Sequence, residues 1–408
     1  MTTFKEYRDE INRIFAQNIR SHFVDYYHCN KLGNELTDLI IEATKELALR
    51  REYKELFDLA NKSFLKWGKT DKDDSGGETQ IVVYYVKQAW DVIYEADDSK
   101  IPHVKMYDWF ESHLDGSVID YMEDELYEYL VHHFSEPELL QRKYDFLNSK
   151  IEDGLKKNDE NYYKYQVTQR QEYLLYVMAD MGKPIEEIRE YAKDLNINSV
   201  KKVMIEIEKR YGNMDAVIDI YKELAKREDE FGWATENWHI KLMEIYKERG
   251  DEEQYLRELV SAMALNIGNE ELWKEYKSCF TAEEWPERCE EIFSNIRGTY
   301  RILPWYALED RFDLIMEAIE ISGDTDSLKR YEKKLKALYP DRCLKVLVED
   351  TEAMAERSNK RQDYWKVARN LRWIQRYPGG NEKAAKLADK YREKYKRRRA
   401  MMEELEEF

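Results

Sequence analysis

The sequence predicts an all-α protein in which antiparallel helix pairs continue into a tetratricopeptide-like α-solenoid. Three observations carry this. Only 15 glycines and 7 prolines occur in 408 residues, about 5 per cent where ordinary proteins carry about 12, too few turn residues for a many-stranded sandwich or barrel. Apolar residues recur every three to four positions along nearly the whole chain, the period of a helix buried on one side. Glycine followed by Asn or Asp interrupts that pattern at Gly212-Asn213, Gly250-Asp251 and Gly323-Asp324, close to the length of one helix-turn-helix unit or its multiple.

In chain order, Leu36, Leu39, Ile40, Ala43 and Leu47 form a first apolar stripe, and Tyr53, Leu56, Phe57, Ala60 and Phe64 form a second. The short break at Arg50-Arg51 leaves the two helices no choice but to turn back on each other, each covering the other's apolar face. Val118, Met122, Leu126 and Leu130 mark another helix, with Ser117 and Asp120 spaced as a capping box at its start. Leu140, Tyr144, Leu147 and Ile151 mark the next. These pairs make up an N-terminal region, residues 1–180. From 181 to 399 the glycine punctuation, with Tyr339-Pro340 and Tyr377-Pro378 spaced alike, reads as a solenoid; glycine supplies a left-handed cap and Asp or Asn starts the next helix. Residues 400–408 are an acidic tail. Similarity between units goes little beyond this punctuation, so an irregular helical bundle is the alternative architecture.

Three segments carry a further signal: FVDYYHCNKLGNELTDLI (Phe23–Ile40), TDKDDSGGET (Thr70–Thr79) and HLDGSVIDYMEDELYEYL (His113–Leu130). In order and spacing they resemble the helical region that follows the finger in bacterial SWIM zinc-finger proteins, over about a third of the chain. The resemblance implies an all-helical, tetratricopeptide-like region supporting a finger that binds nucleic acid or protein. The finger itself does not carry over: its C-x-C and C-x-H pairs have no counterpart among Cys29, Cys279, Cys289 and Cys343.

Composition excludes several classes of function. No run approaches the ~18 apolar residues of a membrane span, no basic-then-apolar leader opens the sequence, and four scattered cysteines fit a reduced cytoplasm. No nucleophile–base motif, metalloprotease motif or dinucleotide glycine pattern occurs. The expectation is a protein without enzymatic activity or cofactor.

Two groups of residues are candidate sites. Asp71, Asp73 and Ser75, with Gly76 at the sharp turn, match the first half of a calcium loop. The twelfth position is Val82 instead of a bidentate Glu, so the other reading is a helix connection in which Asp73, Asp74 or Ser75 caps the next helix. His22, His28 and Cys29 lie close in sequence but lack an evident fourth metal ligand.

Charge points to the C-terminal end. Residues 357–399 hold 16 basic and 4 acidic residues, a local +12, which leaves −30 on the rest of a chain whose net charge is −18. Lys366, Arg369, Arg372 and Arg376 share one helix face; Lys383, Lys386, Lys390, Lys394 and Arg397 repeat the design on the next. Trp365, Trp373 and Tyr395 are placed to add stacking. Three readings are open for residues 357–399: docking of a protein partner, contact with nucleic acid phosphates, and a solvated face neutralised by the chain's own acids. The acidic remainder argues against general nucleic-acid affinity.

Overall fold

The computed structural model describes residues 2–19, 22–116, 118–156, 161–195, 198–226, 232–296 and 300–408. Among these, 22 α-helices account for nearly all regular structure, with one isolated parallel bridge between Val24 and Lys72. The all-α expectation holds. Contacts divide the chain into two compact units, Met1–Val217 and Ile218–Phe408. The boundary expected at 180 marks where glycine punctuation begins, whereas the contacts thin out within the helix at Met214–Ala225.

The first unit contains α1 (Phe4–Asn18), α2 (Tyr26–Leu49), α3 (Tyr53–Gly68), α4 (Glu78–Ala96), α5 (His103–Ser112), α6 (Asp120–His132), α7 (Pro137–Lys156), α8 (Asn161–Asp180), α9 (Ile185–Leu195) and α10 (Asn198–Arg210). The predicted stripes of α2 and α3 are buried, apart from the half-buried Tyr53, and the two helices pack on each other and on α4. Trp90 of α4 is the hub of this core. Its ring centroid lies 5.3 Å from Phe64, 4.8 Å from Phe110 and 5.1 Å from Tyr129, and its indole N–H donates to Asn61 Oδ1 at 2.9 Å. Each ring buries on the order of 150–250 Å², which explains how a chain so rich in charge still holds a core.

Ser117, half of the expected capping box, lies outside the described residues. Ile119 occupies the cap position of α6 without a side-chain cap bond; Glu123 instead accepts from the Gly116 N–H at 2.9 Å. True capping boxes occur at Thr3–Glu6 and Thr281–Glu284, where each side chain accepts from the other residue's N–H.

Lys143 of α7 is 1% exposed, and its Nζ donates to the Val131 carbonyl at 2.9 Å and to that of His133. Burial pushes its ammonium down from 10.5 to about 8, against the opposing pull of Asp180 and Glu136. Between those values the unfolded chain holds a proton that the folded chain has released, so stability rises with pH. At about 1.4 kcal/mol per pKa unit the full effect is roughly 3 kcal/mol. The stability difference between the wild-type chain and Lys143→Met, from urea melts between pH 7 and 9.5, should grow with pH, because the thiols, which burial pushes up and whose titration opposes the rise, are common to both. An unchanged slope in the variant would assign the pH dependence elsewhere.

After α11 (Met214–Ala225), the second unit continues with α12 (Gly232–Arg249), α13 (Glu252–Leu265), α14 (Glu270–Ser278), α15 (Trp285–Asn295), a 3₁₀ turn (Tyr300–Ile302), α16 (Leu303–Leu308), α17 (Phe312–Ser322), α18 (Thr325–Leu338), α19 (Pro340–Arg357), α20 (Arg361–Ile374), α21 (Gly380–Lys394) and α22 (Arg399–Glu404). Most helices pack on the next in sequence, the pattern of a helical-hairpin array. The punctuation behaves as expected. Gly250 and Gly323 close α12 and α17 at φ 69° and 68°, a region that costs other residues about 1 kcal/mol or more; Asp251 and Asp324 then accept N–H bonds from α13 and α18. One apolar cluster runs from Met243 to Leu405. In it Trp273 stacks on Phe293 at 5.2 Å and on Trp305 at 4.9 Å. Glu309 accepts from the indoles of Trp273 at 2.9 Å and Trp285 at 2.8 Å and from Lys277 at 2.8 Å.

Candidate functional site

The apolar sides assigned to α20 and α21 are buried: Tyr364, Val367, Ala368, Leu371 and Ile374 on one, Leu387, Ala388 and Tyr391 on the other. That burial turns the basic residues outward. Their positive charge is compensated in part. Lys390 donates to Glu352 at 2.6 Å and Lys394 to Glu356 at 3.3 Å, both acceptors on α19. Lys366 pairs with Asp363 at 3.6 Å and Lys386 with Glu382 within their own helices. Arg372 pairs with Glu407, and Arg361 reaches Glu403 at 3.3 Å, both acids in the tail that α22 folds back against α20. Arg376, Lys383 and Arg397 are exposed and make no ion pair among the described residues.

The three aromatic residues have separate fates. Trp373 is half-buried and donates its indole N–H to Glu332 at 2.6 Å. The Arg398 guanidinium lies 4.2 Å from the centre of the Tyr395 ring. Trp365 is 47% exposed, with Arg369 stacked on it at 5.4 Å. Helices α20 to α22 thus carry a partly neutralised basic surface with one exposed Trp–Arg pair on α20.

In the first unit the acidic loop is pinned to the start of α2. Val24 N–H donates to the Asp71 carbonyl at 2.9 Å, and Asp73 N–H donates to the Val24 carbonyl at 2.8 Å. Asp71 is exposed. Asp73 Oδ1 accepts from Ser75 N–H at 3.1 Å and from its hydroxyl at 2.7 Å, bonds that hold its carboxyl below the usual carboxylate range. Asp74 caps α4, accepting from Thr79 N–H at 2.8 Å. Of the three residues offered as a cap, Asp74 thus bonds the start of α4, while Asp73 and Ser75 bond each other.

A different cluster forms behind this loop. Ligand-type atoms of Cys29, Asp74 and Glu78 lie within 4.8 Å of one another. Cys29 is fully buried and Glu78 is 3% exposed, while Asp74 is half-buried. Glu78 Oε1 accepts from Asn30 Nδ2 at 2.9 Å, and Oε2 is buried without a hydrogen-bond partner. Burial, with Glu78 and Asp74 adding like-sign repulsion, pushes the Cys29 thiol up to about 12. Lys72 borders the group: its ammonium, pushed down by burial, donates to the Trp67 carbonyl at 3.0 Å and the Thr70 carbonyl at 3.2 Å. His28 turns away, its Nδ1 2.9 Å from the Asp25 carboxylate. Sequence spacing does not reveal this cluster, because its members come from α2, the loop and α4.

No family model and no curated protein matches the chain. Among solved structures, a circular tandem repeat protein with novel repeat topology and enhanced subunit contact surfaces aligns over 99% of this chain and 93% of its own, at 14% identity. Its TM-score of 0.19 is too low to support any argument about fold or function. No helix among the described residues is long and apolar enough to cross a membrane.

Proposed function

We propose that the chain is a non-enzymatic interaction or scaffold protein of the bacterial cytoplasm that binds a protein partner through its helical-hairpin surface, with α20–α22 as one docking end. The supporting observation is the pairing of cations there with the chain's own carboxylates. A nucleic-acid face works through cations free to displace counterions along a phosphate backbone; here Lys390, Lys394, Arg372 and Arg361 already have acidic partners. Exposed pairs of this kind contribute about 0–1 kcal/mol each, so they exchange readily for the mixed charges of another protein surface. Trp and Arg are among the residues that most often dominate protein interfaces, and the Trp365–Arg369 pair is exposed on α20. The resemblance to the SWIM-associated helical region suits the same role, a helical support whose partner carries the recognition element.

The test is affinity capture by the tagged full chain, with and without nuclease, alongside Trp365→Ala/Arg369→Ala. A stoichiometric protein that survives nuclease and disappears with the double variant is the expected result. The alternative is a nucleic-acid-binding accessory subunit acting through residues 357–399. Recovery of nucleic acid with a steep salt dependence, lost in Arg376→Glu/Lys383→Glu/Arg397→Glu, would establish that reading and overturn the first.

A further inference from the structure

We propose that Cys29, Asp74 and Glu78 form a transition-metal site of the zinc class, tying together the start of α2, the loop before α4 and the start of α4. The first argument is convergence. Three side chains able to ligate a metal, Cys29 and, 45 and 49 residues further on, Asp74 and Glu78, bring their ligand atoms within 4.8 Å of one another. Two ligands of a tetrahedral zinc with a thiolate and a carboxylate stand about 3.5 Å apart, so shifts of about an ångström at the side-chain ends close the set.

The second argument is independent of the first. Glu78 is almost completely buried, yet its Oε2 has no donor. A buried carboxylate oxygen without a partner costs more than the ~1–3 kcal/mol of a neutral group, and a metal ion supplies the missing counter-charge. The backbone makes room for that carboxylate: a Cβ at Gly76 would overlap both of its oxygens. Gly33 permits the close approach of α2, since a Cβ there would lie 3.1 Å from the Glu78 Cβ.

The donor set selects the kind of ion. Calcium and magnesium require oxygen ligands throughout, whereas one thiolate with two carboxylates suits a borderline-soft divalent ion. The three ligands when ionised carry −3 against the ion's +2. The positive end of α4, on which Glu78 is the first residue, and the neighbouring Lys72 balance the remainder. Three protein ligands leave a fourth coordination position for water.

Binding must displace the thiol proton, so affinity should rise with pH, up to tenfold per unit for one proton released. The full-length chain, purified under reducing conditions and stripped with a chelator, would be titrated with Zn²⁺ and Co²⁺. One equivalent should bind, Co²⁺ should produce a thiolate-to-metal charge-transfer absorption, and Zn²⁺ should raise the melting temperature. Cys29→Ser should abolish the absorption; Asp74→Asn and Glu78→Gln should each weaken binding at least tenfold. Cys279→Ser, which changes an exposed thiol elsewhere, should leave all three readouts unchanged. Absence of stoichiometric binding would overturn the proposal, as would a charge-transfer band that survives Cys29→Ser. So would metal uptake that Glu78→Gln leaves intact, because the orphaned oxygen then takes no part in binding.

Discussion

Replacing Trp90 by Ala is expected to cost the first unit about 5 kcal/mol, a third or more of the stability a domain ordinarily has. Truncating a fully buried Trp removes about 3–5 kcal/mol of packing, and the Asn61 carbonyl oxygen, which accepts the indole N–H, is left without a donor at a further ~1–3. Domains have only about 5–15 kcal/mol in total. Three helices supply Trp90's aromatic neighbours, Phe64 from α3, Trp109 and Phe110 from α5 and Tyr129 from α6, so the loss is shared by α3 to α6. Trp90→Phe keeps a ring in place and should lose about 1–3 kcal/mol, chiefly the hydrogen bond. Urea unfolding followed by far-ultraviolet circular dichroism measures both. A loss under 2 kcal/mol for Trp90→Ala would show that the cluster repacks around the gap.

The second large effect is expected at Glu309→Ala, about 3–4 kcal/mol in the second unit. The carboxylate is 11% exposed and joins two tryptophans and Lys277. Removing it leaves two largely buried indole N–H groups without an acceptor, each at about 1–3 kcal/mol. Glu309→Gln retains an acceptor and should cost less than half as much. Burial opposes ionisation of Glu309, but the bonds from Lys277, Trp285 and Trp273 outweigh it and hold the carboxyl below the ordinary range. The folded chain therefore keeps Glu309 ionised where the unfolded chain takes up a proton. Its contribution is complete above the ordinary carboxylate pKa and disappears as pH falls through the folded value. Tryptophan fluorescence during acid titration should report this loss, and Glu309→Gln should remove that part of the pH dependence. An acid profile that Glu309→Gln leaves unaltered would assign it to other carboxylates.

The helices were legible because their signal is local. A period of 3.6 placed Leu36 to Leu47, Val118 to Leu130 and Tyr364 to Ile374 on buried faces, and Gly250-Asp251 and Gly323-Asp324 gave turns whose chemistry depends only on adjacent residues. Readings that required knowing what lies opposite a face fared less well. The C-terminal cations read as two basic faces because the acids paired with Lys390, Lys394 and Arg372 sit on other elements. Lys390–Glu352 and Lys394–Glu356 are each separated by 38 residues, the interval of the glycine punctuation itself, so comparing charges one repeat apart would have found them. Cys29, Asp74 and Glu78 obey no such interval. Their meeting depends on the bridge between Val24 and Lys72, which no periodicity in the sequence marks.

The six-residue α22 has a consequence for assembly. Met401 and Leu405 are buried in the second unit's apolar cluster, while Glu403 and Glu407 hold Arg361 and Arg372 at the surface. A helical array whose last apolar face is bare invites a second copy to stack on it and propagate. In this chain α22 covers the α20 face and rims it with paired charges, so a second copy docking on that face would first require α22 to be lifted away.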